Sequence, residues 1–249
     1  MGMMKLIGYG YGGVCYLLGV GSLLAFILFA NNFMGLVQLP RYDIDSPATV
    51  AAPLAWLINL SLIVLFGLQH SVMARPGFKG VLTKFLPSHL ERSTYVLGTA
   101  VVLGAIVGFW QGITPLLWQV QSELGRQVIT GIYFLGWAVT LLATFMLNHF
   151  HLFGLQQSFR PGSADAGSKE FKTPLFYRFV RHPIQTGVVI AMLATPDMSL
   201  GRALLAMGML IYIGIGLFFE ERDLVKEFGK TYEDYRQRVP PLFPSLRGR

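Results

Sequence analysis

Apolar residues run through this chain in blocks far longer than a soluble domain carries, and the polar residues fall between them in tight groups. Four blocks, roughly 9–33, 53–73, 94–111 and 127–148, are each close to the ~20 residues that cross a bilayer as a helix, and each is bounded by polar or Pro/Gly segments. A fifth, 184–219, is too long for one crossing and is interrupted at Pro196-Asp197-Met198 and at Arg202. It predicts a hairpin with a short arm near 184–195 and a fuller arm near 203–219. Past it, Leu224, Phe228, Tyr232 and Tyr235 recur at offsets of three and four, which predicts an amphipathic helix interrupted at Gly229. Val239-Pro240-Pro241-Leu242-Phe243-Pro244 then predicts an extended segment, because proline cannot continue a helix. The expected fold is an all-α polytopic membrane protein, one domain over 1–249, with about five transmembrane helices and four N-terminal spans within 1–150.

Composition agrees with that pattern. The 249 residues are 53% hydrophobic and 13% charged, with mean hydropathy +0.52. The first apolar block is long and no small-residue cleavage site follows it, so it reads as an uncleaved span. The single cysteine, Cys15, allows neither an intramolecular disulfide nor a cysteine metal cluster.

The net charge of +7 is a matter of topology, not a nucleic-acid footprint. Seventeen of the twenty Lys and Arg residues lie in the N-terminus, the loops around 75–92 and 160–181, and the tail; only Arg41, Arg126 and Arg202 lie in the alternate segments. The positive-inside rule then places both termini and those two loops in the cytoplasm, provided that 184–219 returns as a hairpin. Six glycines (Gly8, Gly10, Gly12, Gly13, Gly19, Gly21) fit the first helix for close packing against other helices or a second copy of itself. The loop 160–173 is polar and is expected to be the most mobile segment.

The hairpin returns Glu220-Glu221-Arg222 to the side of Arg181-His182-Pro183. Charges beside hydrocarbon are costly, so their presence points to a site. His70 is expected at the same cytoplasmic depth, at the end of the second span, and His149 and His151 at the end of the fourth. His149-x-His151 does not put two side chains on one helix face, and no zinc pattern accompanies it, so no metal site is expected. A haem between His70 and His149 stays open as an alternative of another class. No Gly-rich phosphate loop stands on a strand, the first-span glycines match no Rossmann pattern with strand context, and Gly-x-Ser-x-Gly is absent, which removes kinase and hydrolase readings.

Tyr177-Arg178-Phe179-Val180-Arg181-His182-Pro183, Gly187, Glu220-Glu221-Arg222-Asp223-Leu224 and Phe228-Gly229-x-x-Tyr232-x-x-Tyr235-x-x-x-Val239-Pro240 resemble the cofactor-binding core of the isoprenylcysteine carboxyl methyltransferase superfamily. Gln69-His70-Ser71-Val72-Met73-Ala74-Arg75, Glu91-Arg92-Ser93-Thr94-Tyr95, His149-Phe150-His151-Leu152-Phe153-Gly154-Leu155 and Thr195-Pro196-Asp197-Met198 extend the likeness to the bacterial methanethiol S-methyltransferases. The resemblance implies an inner-membrane enzyme that methylates a small thiol with S-adenosyl-L-methionine and carries its cofactor core at 174–244. It implies a cofactor site of Tyr177, Arg181, His182, Pro183, Gly187, Glu220, Glu221, Tyr232, Tyr235 and Arg236. Arg181 and His182 suit the cofactor's carboxylate, and Glu220 or Glu221 its amine or ribose. The thiol must lose a proton, for which His70, His149 and His182 are the candidate catalytic acceptors. Another thiol, a prenylated cysteine or an amine stay open as the methyl acceptor.

Overall fold

The computed structural model describes residues 3–160 and 171–244 and is mostly helical, with five helices long and apolar enough to cross a membrane. Helix α1 spans Met3–Phe29, α2 Ala52–Ala74, α3 Pro76–Leu82 and α4 Glu91–Phe109. Strand β1 (Leu116–Gln119) leads into α5 (Glu123–Met146), then the short α6 (His149–Leu152) and α7 (Leu155–Phe159). The C-terminal part holds α8 (Pro183–Leu193), β2 (Asp197–Ser199), α9 (Leu200–Phe228) and α10 (Lys230–Arg238). The long helices expose large apolar side chains such as Leu17, Leu57, Val101, Leu135 and Ile211, as a lipid-facing surface requires. Of the loop expected to be mobile, residues 161–170 lie outside the described residues.

Local chemistry explains the boundaries. Helix α1 stops before Asn31-Asn32, where Asn32 turns left-handed (φ 61°), so the span ends earlier than 33. Helix α2 starts with proline in its first turn and ends at Arg75, whose extended backbone is what the following Pro76 demands. The Ser122 hydroxyl accepts from Gly125 N (3.3 Å) and caps α5, with Glu123 in the first turn. The broken run 184–219 becomes a hairpin as expected, its first arm only eleven residues long. Helix α9 runs nine residues beyond 219, so Glu220 and Glu221 lie inside it. Gly229 (φ 54°) separates it from α10.

The all-α expectation holds, and two short strands are a small addition to it. They pair in a small sheet at the turn that carries Pro196-Asp197-Met198. The chain there is too polar and proline-bound for helix, and its backbone groups find partners in the 115–120 loop, as in Val120 N donating to Pro196 O (2.9 Å).

The chain divides into two compact units. The first contains α1 to α4, α6, α7 and the first turn of α9. There α4 packs against both α1 and α2. A Cβ on Gly12 would meet the Ser158 side chain, and one on Gly19 would meet Val96, whereas Gly10, Gly13 and Gly21 face open space. Asn59, fully buried in α2, donates to Gln111 O (2.7 Å) and accepts from Gln111 N (2.9 Å). Buried Arg202 donates to Asp45 (2.8 Å) and Asn31 (2.5 Å), while Ser199 and Asn32 also donate to Asp45.

The second unit contains α5, α8, most of α9 and α10, and its centre is the crossing of α5 with α8. Gly136 and Gly187 face each other there. A Cβ on Gly187 would lie 2.3 Å from Gly136 O and 2.7 Å from Thr140 N. Thr140 Oγ1 donates across the crossing to Ile184 O (3.1 Å). The close approach at Gly187 is thus between helices. Gly187→Ala is expected to destabilise the protein by about 1–3 kcal/mol or more, because the atoms in the way are backbone. Thermal unfolding in detergent checks this; an unshifted midpoint would mean that the crossing can open freely. Arg126 grips Asp197 with two bonds (2.7 and 2.6 Å). Two of the three basic residues outside the Lys/Arg-rich segments, Arg126 and Arg202, are therefore each held by a carboxylate.

Candidate functional site

The polar centre of the second unit grows from three local features. Proline opens α8 at Pro183, which leaves Arg181 and His182 on non-helical backbone just before it. Helix α9 carries two adjacent carboxylates beyond its apolar stretch. After Gly229, α10 folds back so that Tyr232, Tyr235 and Val239 form an apolar cluster with Phe171, Leu224, Val225 and Phe228.

The extended tail is then strapped to the start of α8. Arg181 N donates to Pro240 O (2.9 Å), His182 N to Pro241 O (3.0 Å), and Thr186 Oγ1 to Leu242 O (2.6 Å). Arg181 closes the strap with its side chain. Its Nε and Nη2 reach Glu221 Oε1 at 2.7 and 2.5 Å, and its Nη1 donates to Arg236 O (2.9 Å) and Val239 O (2.6 Å). With the Arg181 side chain only 9% exposed, most of its donors are committed inside the protein. Arg236 enters this arrangement through its carbonyl.

His182, 3% exposed, stands between the carboxylates, with Nε2 3.1 Å from Glu221 Oε1 and Nδ1 3.8 Å from Glu220 Oε1. Glu220 is the open member of the pair. Its side chain is 48% exposed, and one oxygen accepts from Gln185 Nε2 (3.3 Å). The Tyr235 hydroxyl donates to Tyr177 O (2.5 Å), and burial pushes its pKa up to about 12; burial likewise raises Tyr177. Beside this cluster a cleft of about 590 Å³ is lined by Thr173, Arg178, Tyr235, Arg238 and Val239.

This unit therefore brings together Tyr177, Arg181, His182, Pro183, Glu220, Glu221, Tyr232, Tyr235 and Arg236, with Gly187 one turn further along α8. Sequence reasoning missed Gln185, Arg178 and Arg238. Arg178 stands inside the Tyr177–Pro183 motif, three residues before Arg181, and Arg238 falls among the basic residues of the tail, so neither stands out there as a site residue. Gln185 carried a readable signal as a polar residue in an otherwise apolar helix.

His70 and His149 belong to the first unit, each held by its own partners. His70 Nε2 lies 2.6 Å from the Tyr95 hydroxyl and Nδ1 3.3 Å from Thr99 Oγ1, and the ring stacks on Phe66. Arg92 lies over the Tyr95 ring and donates from Nε to Leu152 O (2.7 Å). His149 Nε2 lies 3.1 Å from the Tyr16 hydroxyl, its ring stacks on Phe153, and burial lowers its pKa. Among the described residues no group of three His, Cys, Asp or Glu side chains is placed to hold a metal ion.

Fold and site together define an integral membrane protein whose polar centre is built on a C-terminal helical hairpin and strapped by its tail. Its relatives say which. The chain is 45% identical to the methanethiol S-methyltransferase of Pseudomonas deceptionensis over 86% of its own length and 82% of the relative's. It is 43% identical to the methanethiol S-methyltransferase of Mycobacterium tuberculosis over 91% of its own length and 94% of the relative's. A more distant likeness, 26% over 71% of the chain and 70% of the relative, is to nurim of Sus scrofa. The chain belongs to the methanethiol S-methyltransferase family. No family model matches it, and no solved structure does.

Proposed function

We propose that this protein methylates methanethiol to dimethyl sulfide, with S-adenosyl-L-methionine as methyl donor, at a site built on Arg181, His182, Glu220 and Glu221. The observation that carries the reading is the 45% identity, over most of both chains, to a relative named for that reaction. The donor set of the second unit fits the cofactor. A carboxylate can be met by Arg178 or Arg238, which line a cleft of ligand size, and a ribose or amine by Glu220 and Gln185, which are bonded to each other. When bound, the cofactor supplies an electrophilic methyl group.

The protein's own contribution is positioning, dryness and a place for one proton. Arg181 holds Glu221, and Glu221 holds His182 through Nε2. With a proton on Nε2 donated to Glu221, Nδ1 keeps its lone pair and faces Glu220. The thiol's proton is taken at His182 Nδ1, leaving a thiolate as the nucleophile. His70 and His149, whose rings are engaged by hydroxyls, support the first unit. Both termini lie in the cytoplasm and the protein resides in the inner membrane, a placement supported by the charge asymmetry.

Acceptor competition tests the assignment. Membranes containing the protein, given methyl-labelled S-adenosylmethionine, should transfer label to methanethiol well ahead of a farnesylated cysteine or an amine. Preference for either of those would move the protein's substrate outside the small thiols.

A further inference from the structure

No large apolar side chain among the described residues is more exposed than Phe85, at 81%, and Phe85 lies outside the spans. It follows α3 in the connection between α2 and α4, which two crossing helices hold at one face of the membrane. Helical turns continue past Leu82. Lys84 N donates to Val81 O (3.1 Å), and Phe85 N and Leu86 N both donate to Leu82 O (3.0 Å each). At ~100° per residue, Phe78, Val81, Leu82, Phe85 and Leu86 share an arc of ~140°, with Lys79 and Lys84 at its two margins. Phe78, Leu82 and Leu86 are half-buried, whereas Val81 (53% exposed) and Phe85 stand open. On the other side, Gly77 and Gly80 have open space where a Cβ would lie.

We propose that residues 76–86 lie along the bilayer surface as an interfacial helix that binds anionic phospholipids, with Val81 and Phe85 among the upper acyl chains and Lys84 at the phosphates. Only Arg75 separates this segment from α2, so it cannot leave the headgroup layer in which that span ends. An uncovered apolar arc is costly in water and is satisfied by the boundary of headgroups and chains. Lysines at the margins of the arc suit the same depth, because their stems cover apolar surface while the ammonium reaches outward. Charge selects the headgroup. Residues 75–90 carry Arg75, Lys79 and Lys84 and no carboxylate, and the first acidic residue, Glu91, lies 3.8 Å from Lys79. Lys79 is thus shared with Glu91, and exposed Lys84 carries most of the attraction to lipid. A zwitterionic surface would cover the apolar arc but offer the cations no net charge, whereas an anionic one answers both. This assignment concerns the first unit and is independent of the cofactor reading.

The test places a reporter on the open face. Full-length Phe85→Trp protein is reconstituted in bilayers of phosphatidylcholine doped with phosphatidylcholine or phosphatidylglycerol brominated near the headgroup end of the chains. The signal of the added tryptophan is the difference from the unsubstituted protein, which carries four tryptophans of its own. Positions 84 and 85 are both exposed, so the substitutions leave the packing of the protein intact. Both brominated lipids should quench the added tryptophan, and phosphatidylglycerol should do so at roughly fivefold lower mole fraction, the scale of one lysine at an anionic surface. Adding Lys84→Gln, or raising the salt, should bring the two lipids close to parity. Quenching by neither lipid overturns the placement, since the face would then lie in water or against a second protein surface. Equal quenching by both lipids in the Phe85→Trp protein overturns the anionic preference. A preference that survives Lys84→Gln overturns the role of that lysine.

Discussion

Arg181→Ala should unfold the tail strap before it touches any chemistry. The substitution removes both contacts to Glu221 and both carbonyl contacts at Arg236 and Val239, and strands a half-buried carboxylate next to His182. Removing one partner of a buried ion pair costs about 3–5 kcal/mol, because the charge left behind has no compensation. The pair here is 9% and 17% exposed, so the effect should lie near the lower end of that range. Arg181→Lys should recover only part of the loss, since an ammonium keeps the charge but lacks the planar fork that reaches a carboxylate and two carbonyls at once. Thermal unfolding of the three proteins in detergent, with proteolysis of the tail as a second readout, checks the order Arg above Lys above Ala. If Arg181→Ala keeps its stability and loses only ligand affinity, the guanidinium serves the cofactor directly and is not a positioning residue.

His182→Gln is expected to lower turnover at neutral pH by about 10²–10⁴-fold, the usual contribution of a positioned base. An alkanethiol is mostly protonated there, and glutamine can keep a hydrogen bond to Glu221 but cannot accept a proton at the position of Nδ1. The sign of the pH dependence follows. As pH rises, solution thiolate becomes abundant, so the variant should gain activity steeply toward pH 10 while the unsubstituted enzyme changes less. His70→Gln and His149→Gln should behave differently, losing stability with no such recovery. A His182→Gln enzyme with the parent rate and pH profile would mean that the thiol reaches the site already ionised.

What the sequence disclosed follows what leaves a mark on it. The hairpin was legible because 36 almost wholly apolar residues interrupted by Pro196-Asp197 have only one economical arrangement in a bilayer. The apolar cluster where α9 meets α10 was legible because Leu224, Phe228, Tyr232 and Tyr235 keep helical spacing across the Gly229 break. The strap was not legible. The Arg181 side chain finds two of its three partners among backbone carbonyls, which every residue has and no pattern marks. Arg202 and Asp45 meet across 157 positions, and Arg126 and Asp197 across 71, so neither pair shows as a motif. The strands at 116–119 and 197–199 were hidden for the same reason, since each is too short to display a period of two.

The central claim is that this chain turns methanethiol into dimethyl sulfide, and headspace analysis of cells expressing it tests that most directly. Cells that make no dimethyl sulfide of their own are fed methanethiol, with and without the protein, and with the His182→Gln variant. Dimethyl sulfide should accumulate only with the unsubstituted protein, at a rate that follows its abundance in the membrane, and the variant should yield little. Well-expressed, folded protein that leaves methanethiol unconsumed and the headspace free of dimethyl sulfide would contradict the account.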